Sequence, residues 1–266
     1  MPEEADHLEH APLGARALGD VPRPAGPDAV RVARVQDHSF LAAPIRPGST
    51  VIDLGMNTGQ FATTMISVFG CSVVGVEPAA ALFDQIPKIP GLSAEQAAIT
   101  AHGESAEFFL SADPLAGTTD KRLSAPNAQT IEVAGTTLAE ILERHSVERT
   151  PLVKVDIEGA EIPMLDEASE ETLQRVDQFT IEFHDFFDPA QAGDVQRVKK
   201  RLRSAGFAEM TFSPKNMDVL FVNRSRVPFT GVHRCAIAVL YKYRRGVTRN
   251  VRRRMLDWRG HEARGQ

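Results

Sequence analysis

Residues 51–60, VIDLGMNTGQ, constrain the fold of this chain more than any other stretch. An apolar run is interrupted by Asp53 and is followed by Gly55 and Gly59, four residues apart. This pattern predicts a buried β-strand, a tight glycine turn and the start of a helix. In open α/β sheets, ligands bind beyond the carboxyl ends of the strands, where the free N–H groups of a helix start also lie. We therefore expect a ligand site at this turn.

Strands and helices alternate along the central part of the chain. Some apolar segments end in acidic residues, such as SVVGVEP (72–78) and PLVKVDIEG (151–159). They alternate with segments whose apolar residues have helical spacing, such as TGQFATTMISVFG (58–70). Nearly continuous apolar strands indicate a parallel sheet covered on both faces. The closing segments AEMTFS (208–213) and MDVLFVN (217–223) lie too close for a helical crossover, so we expect a hairpin there. The predicted fold class is α/β, one doubly wound, mostly parallel, Rossmann-like sheet.

Three regions are predicted from the composition. Residues 1–30 mix proline, glycine and charge without a period, which favours a loose leader. Residues 31–225 carry the sheet domain, and residues 226–266 form a basic C-terminal extension. The chain has no run of about 18 apolar residues, no apolar block typical of a secretory signal, and two cysteines far apart in sequence. These features are typical of a cytoplasmic protein, and they leave the oligomeric state open.

Charge is divided unevenly along the chain. The extension 226–266 holds eleven Lys/Arg and two Asp/Glu, whereas the net charge of the whole chain is −5. Residues 1–225, the body of the protein, are therefore strongly acidic. An acidic body argues against non-specific binding of nucleic acid. The extension has an apolar first half and a cationic second half, a pattern compatible with weak contact with an anionic membrane surface. Docking on the acidic body and binding of a partner are equally open.

A carboxylate follows the glycine turn at the tip of the second predicted strand. Glu77 comes 22 residues after Gly55, and a carboxylate there can accept hydrogen bonds from both hydroxyls of a ribose. The turn lacks the G-x-G-x-x-G spacing of dinucleotide-binding proteins, and Asp53 would repel a pyrophosphate. S-adenosylmethionine carries an ammonium, a sulfonium and a ribose, so it suits both carboxylates. A nucleotide-sugar or NAD-dependent Rossmann enzyme is the alternative.

Four segments together resemble a known family. VIDLGMNTG, VVGVEP, FTIEFHDF and, most specifically, VKVDIEGAE (153–161) resemble the FkbM-type methyltransferase family within the class I S-adenosylmethionine-dependent fold, over roughly residues 48–224. The resemblance implies a seven-stranded sheet of order 3-2-1-4-5-7-6 in which the last strand is antiparallel. It also implies methylation of a hydroxyl on a sugar or secondary metabolite.

The resemblance further implies which residues bind the cofactor. The turn residues would hold its amino-acid end, Glu77 its ribose, and Ala98 would lie near the adenine. Met56 stands where the family usually has alanine, and we expect it to narrow the cofactor pocket. The residues assigned to the cofactor are Asp53, Gly55, Met56, Asn57, Gly59, Glu77, Pro78 and Ala98.

Acidic and imidazole side chains follow two further strands. Asp156 ends one strand, and on the next strand period-two geometry places Glu182 and His184 on one face. A base assists methyl transfer to an alcohol by about 10²–10⁴-fold, and an unperturbed histidine has a suitable pKa. We therefore predict Asp156 and His184 as catalytic residues, with Glu158 as a third candidate. Lys154 is expected to pair with Glu182, because an unpaired buried charge is costly.

A metal ion is an open alternative to a base. Asp156, Glu182, His184 and Asp185 offer oxygen and imidazole ligands at adjacent strand ends. Polar side chains at strand ends are common in any cleft of this fold, so they do not by themselves indicate a metal. We therefore assign no metal from the sequence. The long polar loop 113–130 contains glycine and proline and is typical of a lid or a substrate wall.

The combined prediction is an S-adenosylmethionine-dependent O-methyltransferase. Its acceptor would be a small hydroxylated molecule, a sugar or glycosylated metabolite. The alternative from another class is a non-catalytic, methyltransferase-like scaffold that the basic extension recruits to a partner. The sequence does not identify the acceptor or the hydroxyl that would be methylated.

Overall fold

The structure is a computed structural model that describes residues 31–110, 117–124, 127–185, 189–213 and 215–229. The strands are β1 (Val32–Val35), β2 (His38–Leu41), β3 (Thr50–Leu54), β4 (Ser72–Val76), β5 (Leu92–Glu95), β6 (Ala98–Ile99), β7 (Ala106–Leu110), β8 (Gly117–Thr118), β9 (Gln129–Val133), β10 (Gly135–Thr136), β11 (Val153–Val155), β12 (Gln178–Ile181), β13 (Phe207–Thr211) and β14 (Val219–Asn223). The helices are α1 (Gln60–Phe69), α2 (Ala80–Phe83), α3 (Leu138–Arg144), α4 (Glu161–Glu167), α5 (Glu170–Gln174) and α6 (Ala192–Ser204).

A seven-stranded sheet forms the centre of the domain. Its strand order is β13-β14-β12-β11-β3-β4-β5, which is the predicted 3-2-1-4-5-7-6 order in the reverse direction. The pairs among β12, β11, β3, β4 and β5 are parallel, and β14 is antiparallel to both of its neighbours. The predicted α/β class, the parallel core and the closing hairpin are therefore confirmed.

Local sequence signals explain where the helices begin and end. Gly59 and Gly70 flank α1 with φ angles of 76° and 66°, values that glycine adopts without a steric penalty. At the start of α3, Thr137 and Glu140 form a reciprocal capping box. The Glu140 N–H donates to Thr137 Oγ1 at 3.2 Å, and the Thr137 N–H donates to Glu140 Oε2 at 2.9 Å.

Two apolar layers cover the sheet. Ile52 and Leu54 of β3 pack into one cluster with side chains of α3, α4, α5 and α6. Val51, on the opposite face of β3, packs with α1 and with the β1–β2 hairpin. Burying one such side chain stabilises the fold by about 1.5–3 kcal/mol. The second layer extends to Phe229, which is 6% exposed.

The β1–β2 hairpin was not foreseen from the sequence, although it positions part of the site. The Ser39 N–H and Oγ–H donate to the Asp218 carboxylate at 2.9 and 2.7 Å. The Leu41 N–H donates to Gln178 Oε1 at 2.9 Å, and Gln178 Nε2 donates to the Leu41 carbonyl at 2.8 Å. These bonds fix the hairpin against β12 and the β13–β14 connection, so that His38 lies over the end of the sheet.

Smaller sheets flank the carboxyl end of the central sheet. The segment LSAEQAAIT (92–100) contains two strands, β5 in the central sheet and β6, which pairs with β10. The strand β7 pairs antiparallel with both β9 and β8. Residues 1–30 and 230–266, which include the predicted leader and most of the basic extension, lie outside the described residues.

None of the helices in the described ranges has both the length and the apolar character needed to span a bilayer.

Candidate functional site

A pocket opens at the carboxyl ends of β3, β4 and β11, where the sequence predicted a ligand site. The empty space in this pocket, including the solvent at its open mouth, is about 610 Å³. Its wall combines carboxylates with apolar side chains such as Leu82, Ile99 and Phe108. The predicted site residues that line it are Gly55, Asn57, Glu77, Pro78, Ala98, Asp156 and Glu158.

The glycine turn brings the first strand against the Asp156 backbone. Gly55 has a φ of 75°, and a Cβ at this position would lie 1.8 Å from the Asp156 carbonyl oxygen. Any other residue would therefore force the turn away from β11. Asn57 and Glu158 also have positive φ angles of 51°. Non-glycine residues in this region are uncommon and are concentrated at functional sites, and both of these residues line the pocket.

Glu77 is fixed at the pocket wall by backbone donors. Its Oε2 accepts a hydrogen bond from the Asn57 N–H at 2.8 Å, and its Oε1 accepts one from the Ala79 N–H at 2.9 Å. Burial raises the pKa of Glu77, although these two hydrogen bonds oppose the shift. A carboxylate can accept about four hydrogen bonds, so Glu77 retains acceptor capacity for the hydroxyls of a ribose. The remaining acceptor capacity of Glu77 therefore fits the ribose hydroxyls of the predicted cofactor.

Three residues assigned to the cofactor lie outside the pocket lining. Asp53 is fully buried beneath the turn. The Met56 side chain packs over β4, where a Cβ on Gly75 would lie 2.4 Å from Met56 Sδ, so it does not narrow the pocket as expected. Gly59 precedes α1, and a Cβ there would contact Pro87 rather than open space.

Lys154 does not pair with Glu182, so that prediction is wrong. Its Nζ lies 2.7 Å from the Gly55 carbonyl oxygen, 3.1 Å from Asp53 Oδ1 and 3.5 Å from Asp156 Oδ2. The cause is strand register, since Lys154 lies opposite Asp53 on β3. Burial lowers the pKa of Lys154, but the carboxylates of Asp53 and Asp156 outweigh this effect and hold its pKa above the ordinary value.

Asp156 lies between two imidazoles. His184 Nε2 is 3.9 Å from Asp156 Oδ1, and His38 Nε2 is 3.5 Å from Asp156 Oδ2. Burial raises the pKa of Asp156, but Lys154, His38 and His184 outweigh burial and hold it well below its usual range. Asp156 therefore stays anionic and is a weak proton acceptor, which differs from the role predicted for it as a base.

His184 is surrounded by carboxylates. Its Nδ1 lies 2.8 Å from Glu161 Oε1, and its Nε2 lies 3.2 Å from Glu158 Oε2. Burial lowers the pKa of His184, but Glu161, Glu158 and Asp156 outweigh burial and raise it to about 9. In the absence of another cation the ring is protonated at neutral pH, so the expectation of a histidine base with an ordinary pKa is not met.

Sequence reasoning missed two contributors to this cluster. His38 comes from the unforeseen hairpin, and no motif marks it. Glu161 looks in sequence like an acid favoured at a helix start, but its carboxylate accepts from the Ile157 and Gly159 N–H groups and faces His184. Glu182, which the sequence placed on the His184 face, lies near Asp156, and burial together with that charge raises its pKa to about 7.

Part of the predicted lid borders the pocket. Gly117 and Thr119 line its wall, and the Thr118 hydroxyl donates to the Glu158 carbonyl. Residues 113–116 and 125–126 of this region lie outside the described ranges. The described part of the loop therefore contacts the same residue that approaches His184.

Comparison with known proteins identifies a family. The model of the methyltransferase FkbM domain matches residues 53–208, which span the glycine turn, the pocket and the carboxylate cluster. No curated protein matches the chain significantly.

Several solved structures are similar to this chain at low sequence identity. Fibrillarin from Aeropyrum pernix, in complex with S-adenosyl-L-methionine, has 12% identity and a TM-score of 0.37, with 67% of each chain covered. A TehB-like S-adenosylmethionine-dependent methyltransferase from Corynebacterium glutamicum has 14% identity and a TM-score of 0.35, with 68% of this chain and 86% of that chain covered. Ribosomal protein L11 methylase from Lactobacillus delbrueckii has 11% identity and a TM-score of 0.34, with 65% and 68% covered.

Proposed function

Because the chain belongs to the FkbM methyltransferase family, with S-adenosylmethionine as its cofactor, we propose that it methylates a hydroxyl group of a small acceptor, a sugar or a glycosylated metabolite. The family match favours methyl transfer over the NAD-dependent alternative. The observation that supports a catalytic rather than a scaffolding role is the placement of Asp156 and Glu158 in the wall of the pocket that also contains Glu77.

The pocket offers separate surfaces for the two ends of the cofactor. Glu77 would accept hydrogen bonds from the ribose, and Pro78 and Ala98 would contact the adenine side. The turn at Gly55 and Asn57 would border the amino-acid end. When bound, S-adenosylmethionine supplies a methyl group on a sulfonium. The carboxylates of the lining favour a cationic ligand over a neutral one of the same shape.

The chain's own task is to orient the acceptor and to favour loss of its hydroxyl proton. Asp156 and Glu158 both line the pocket, so an acceptor hydroxyl can donate a hydrogen bond to either carboxylate. An alcohol held about 3 Å from the methyl carbon, and in line with the breaking bond, reacts far faster than a free one. The hydroxyl proton would leave toward these carboxylates or through the open mouth of the pocket, and the new C–O bond would form as the sulfur–carbon bond of the cofactor breaks.

The test couples binding to product analysis. Calorimetry with the full chain should detect S-adenosylmethionine and its demethylated product, whereas NAD should give no heat of binding. Incubation with S-adenosylmethionine and a panel of sugars and glycosides, followed by mass spectrometry, should show addition of one methyl group to a hydroxylated acceptor. Binding without transfer to any hydroxyl in a broad panel would favour the scaffold alternative, and transfer to nitrogen alone would refute O-methylation.

A further inference from the structure

Three metal-ligating side chains converge at the carboxyl ends of β11 and β12. One ligand atom from each of Asp156, Glu158 and His184 lies within 4.8 Å of the others. His184 Nε2 is 3.2 Å from Glu158 Oε2 and 3.9 Å from Asp156 Oδ1. Neighbouring ligands of a small divalent cation are about 3 Å apart, because each lies about 2.1 Å from the ion. Small side-chain movements would therefore bring all three groups to bonding distance.

The histidine is oriented as metal-binding histidines usually are. Its Nδ1 is taken by Glu161, at 2.8 Å, which directs Nε2 toward Asp156 and Glu158. Glu161 is itself 1% exposed and accepts from the backbone N–H groups of Ile157 and Gly159. A buried carboxylate on the second ring nitrogen fixes the tautomer and the ring orientation of a metal ligand, and raises its basicity.

The charge around the cluster favours a further cation. Glu161 and Glu182 add carboxylates beside Asp156 and Glu158. Lys154 Nζ lies 3.1 Å from Asp53 Oδ1 and 3.5 Å from Asp156 Oδ2, so its single charge is shared between these two carboxylates. A second group of potential ligands shares Asp156 and consists of His38, Asp156 and Glu182. In this group, His38 Nε2 lies 3.5 Å from Asp156 Oδ2, whereas His184 faces Asp156 Oδ1. Asp156 is thus common to two sets of ligands, each of which contains a buried imidazole.

We propose that Asp156, Glu158 and His184 bind one divalent transition-metal ion, and that an open coordination position of this ion receives the acceptor hydroxyl. Imidazole together with carboxylates suits Mn²⁺, Fe²⁺ or Zn²⁺ better than Mg²⁺ or Ca²⁺. We assign the ion to this set rather than to the His38 set because Asp156 and Glu158 both line the pocket, so that the free positions face it.

The ion would take part in the chemistry as a Lewis acid. A hydroxyl bound to a divalent cation loses its proton at a lower pH than a free one. The proton leaves to solvent through the mouth of the pocket, and the oxygen forms a bond to the methyl carbon as the sulfur–carbon bond breaks. This catalytic role rests on the proposed function, whereas the binding site itself does not.

Direct binding of Mn²⁺ tests the site. The full chain is treated with chelator and dialysed, and Mn²⁺ is titrated while the electron paramagnetic resonance signal of free Mn²⁺ is recorded. One ion should bind per chain, and Zn²⁺ should compete for it. Glu158→Gln should lower the affinity by at least tenfold, and because the Glu158 side chain is 41% exposed, this variant should fold normally. His184→Asn should do the same, with circular dichroism as the check on folding.

Two control variants locate the ion. Glu143→Gln, at an exposed position on α3, should leave the affinity unchanged, and Glu182→Gln should lower it by less than tenfold. Absence of binding at millimolar Mn²⁺ and Zn²⁺ would overturn the proposal. Loss of binding in Glu182→Gln together with full binding in Glu158→Gln would also overturn it, because the ion would then belong to the His38 set.

Activity measurements separate this proposal from the proposed function. Full methyl transfer in the presence of excess chelator would refute the catalytic role of the ion and leave O-methylation intact. Stoichiometric Mn²⁺ binding without transfer to any acceptor hydroxyl would retain the metal site and refute the proposed reaction. Transfer that is lost in chelator and restored by Mn²⁺ would support both.

Discussion

His184 and Glu161 form a buried pair in which the imidazole Nδ1 lies 2.8 Å from a carboxylate oxygen. The two residues come from different elements, since His184 follows β12 and Glu161 is the first residue of α4. Glu161 is held by the N–H groups of the loop that contains Glu158. The pair therefore couples the end of one strand to the conformation of the pocket loop, and it sets the direction of His184 Nε2.

Glu161→Gln should impair turnover without abolishing cofactor binding. The amide can keep one backbone hydrogen bond, but it removes the charge that faces His184, so the ring is no longer held in one orientation. Loss of a carboxylate behind a functional histidine typically costs about 10–100-fold in activity or metal affinity. Steady-state kinetics with an acceptor that the parent protein methylates, and calorimetry with S-adenosylmethionine, measure the two effects.

The matched control is Glu167→Gln on the same helix, where the side chain is exposed. It should leave both turnover and affinity unchanged. Equal activity of Glu161→Gln and the parent protein would show that the buried pair serves folding alone.

Asp156→Asn and His184→Ala should act on the transfer step rather than on cofactor affinity. Asp156 borders the pocket from β11, whereas Glu77 borders it from β4, so the cofactor contacts of Glu77 should survive both changes. We expect affinity for S-adenosylmethionine to stay within a few fold, while turnover falls by about 10²-fold because the acceptor hydroxyl is no longer held in line with the methyl group. Full turnover in both variants would contradict the catalytic assignment.

Glu77→Ala should weaken S-adenosylmethionine binding by about 1–3 kcal/mol, the usual effect of losing hydrogen bonds to a charged group. Saturation of the parent protein at a hundredfold excess over the dissociation constant should stabilise it by about 2.7 kcal/mol. Thermal denaturation with and without ligand measures the gain, and NAD serves as the negative control.

Glu77 also accepts a hydrogen bond from the Asn57 N–H, so its loss can affect folding as well as cofactor binding. A second variant separates the two effects. Glu77→Gln keeps an acceptor for that N–H and should restore stability more than it restores affinity. An unchanged ligand-dependent shift in both variants would remove Glu77 from the site.

The central sheet was predictable because it is encoded by local signals. Apolar segments that run into acids, the glycine turn at Gly55 and the short distance between the last two strands together define the parallel core and its antiparallel strand. The β1–β2 hairpin was not predictable, since its four-residue strands are held by Gln178 and Asp218, more than a hundred residues away. His38 belongs to this hairpin, so its place in the site was not predicted either.

The errors within the site have a common origin in side-chain direction. Period-two spacing placed Glu182 and His184 on one face, but it does not reveal which neighbouring strand supplies a partner. Lys154 therefore pairs with Asp53 on the neighbouring strand β3 instead of with Glu182 on the other side. Met56 follows the end of its strand, where the alternation no longer applies, and its side chain turns to β4 rather than to the cofactor pocket.

The basic extension gives a prediction that is independent of the site. Removal of residues 234–266 should leave the fold intact, because the central sheet is complete at Asn223 and the described core ends by Phe229. If the extension contacts anionic lipid, the full chain should sediment with phosphatidylserine-rich vesicles and the truncated chain should not. Each basic residue near such a surface contributes about 1 kcal/mol, and salt should weaken the contact.

Sedimentation at low and high salt distinguishes the alternatives. Absence of vesicle binding at low salt would exclude the membrane contact. A truncated chain that is less soluble and less stable than the full chain would instead support docking of the extension on the acidic body.

Met56 and Gly75 should behave as a complementary pair. Met56→Ala removes a buried side chain and should lower the free energy of unfolding by about 2–5 kcal/mol. Gly75→Ala should cost about 1–3 kcal/mol in the parent protein, because the new Cβ would lie 2.4 Å from Met56 Sδ.

In the Met56→Ala background, however, Gly75→Ala should be neutral or stabilising, since the added methyl occupies space that the sulfur has left. Urea denaturation of the four proteins gives the coupling energy, which we expect to be about 1–3 kcal/mol. Because the Met56 side chain lies outside the pocket lining, affinity for S-adenosylmethionine should change by less than a few fold in Met56→Ala. Additive effects on stability would show that Met56 and Gly75 are not in contact. A large gain in affinity in Met56→Ala would mean that Met56 does narrow the cofactor pocket.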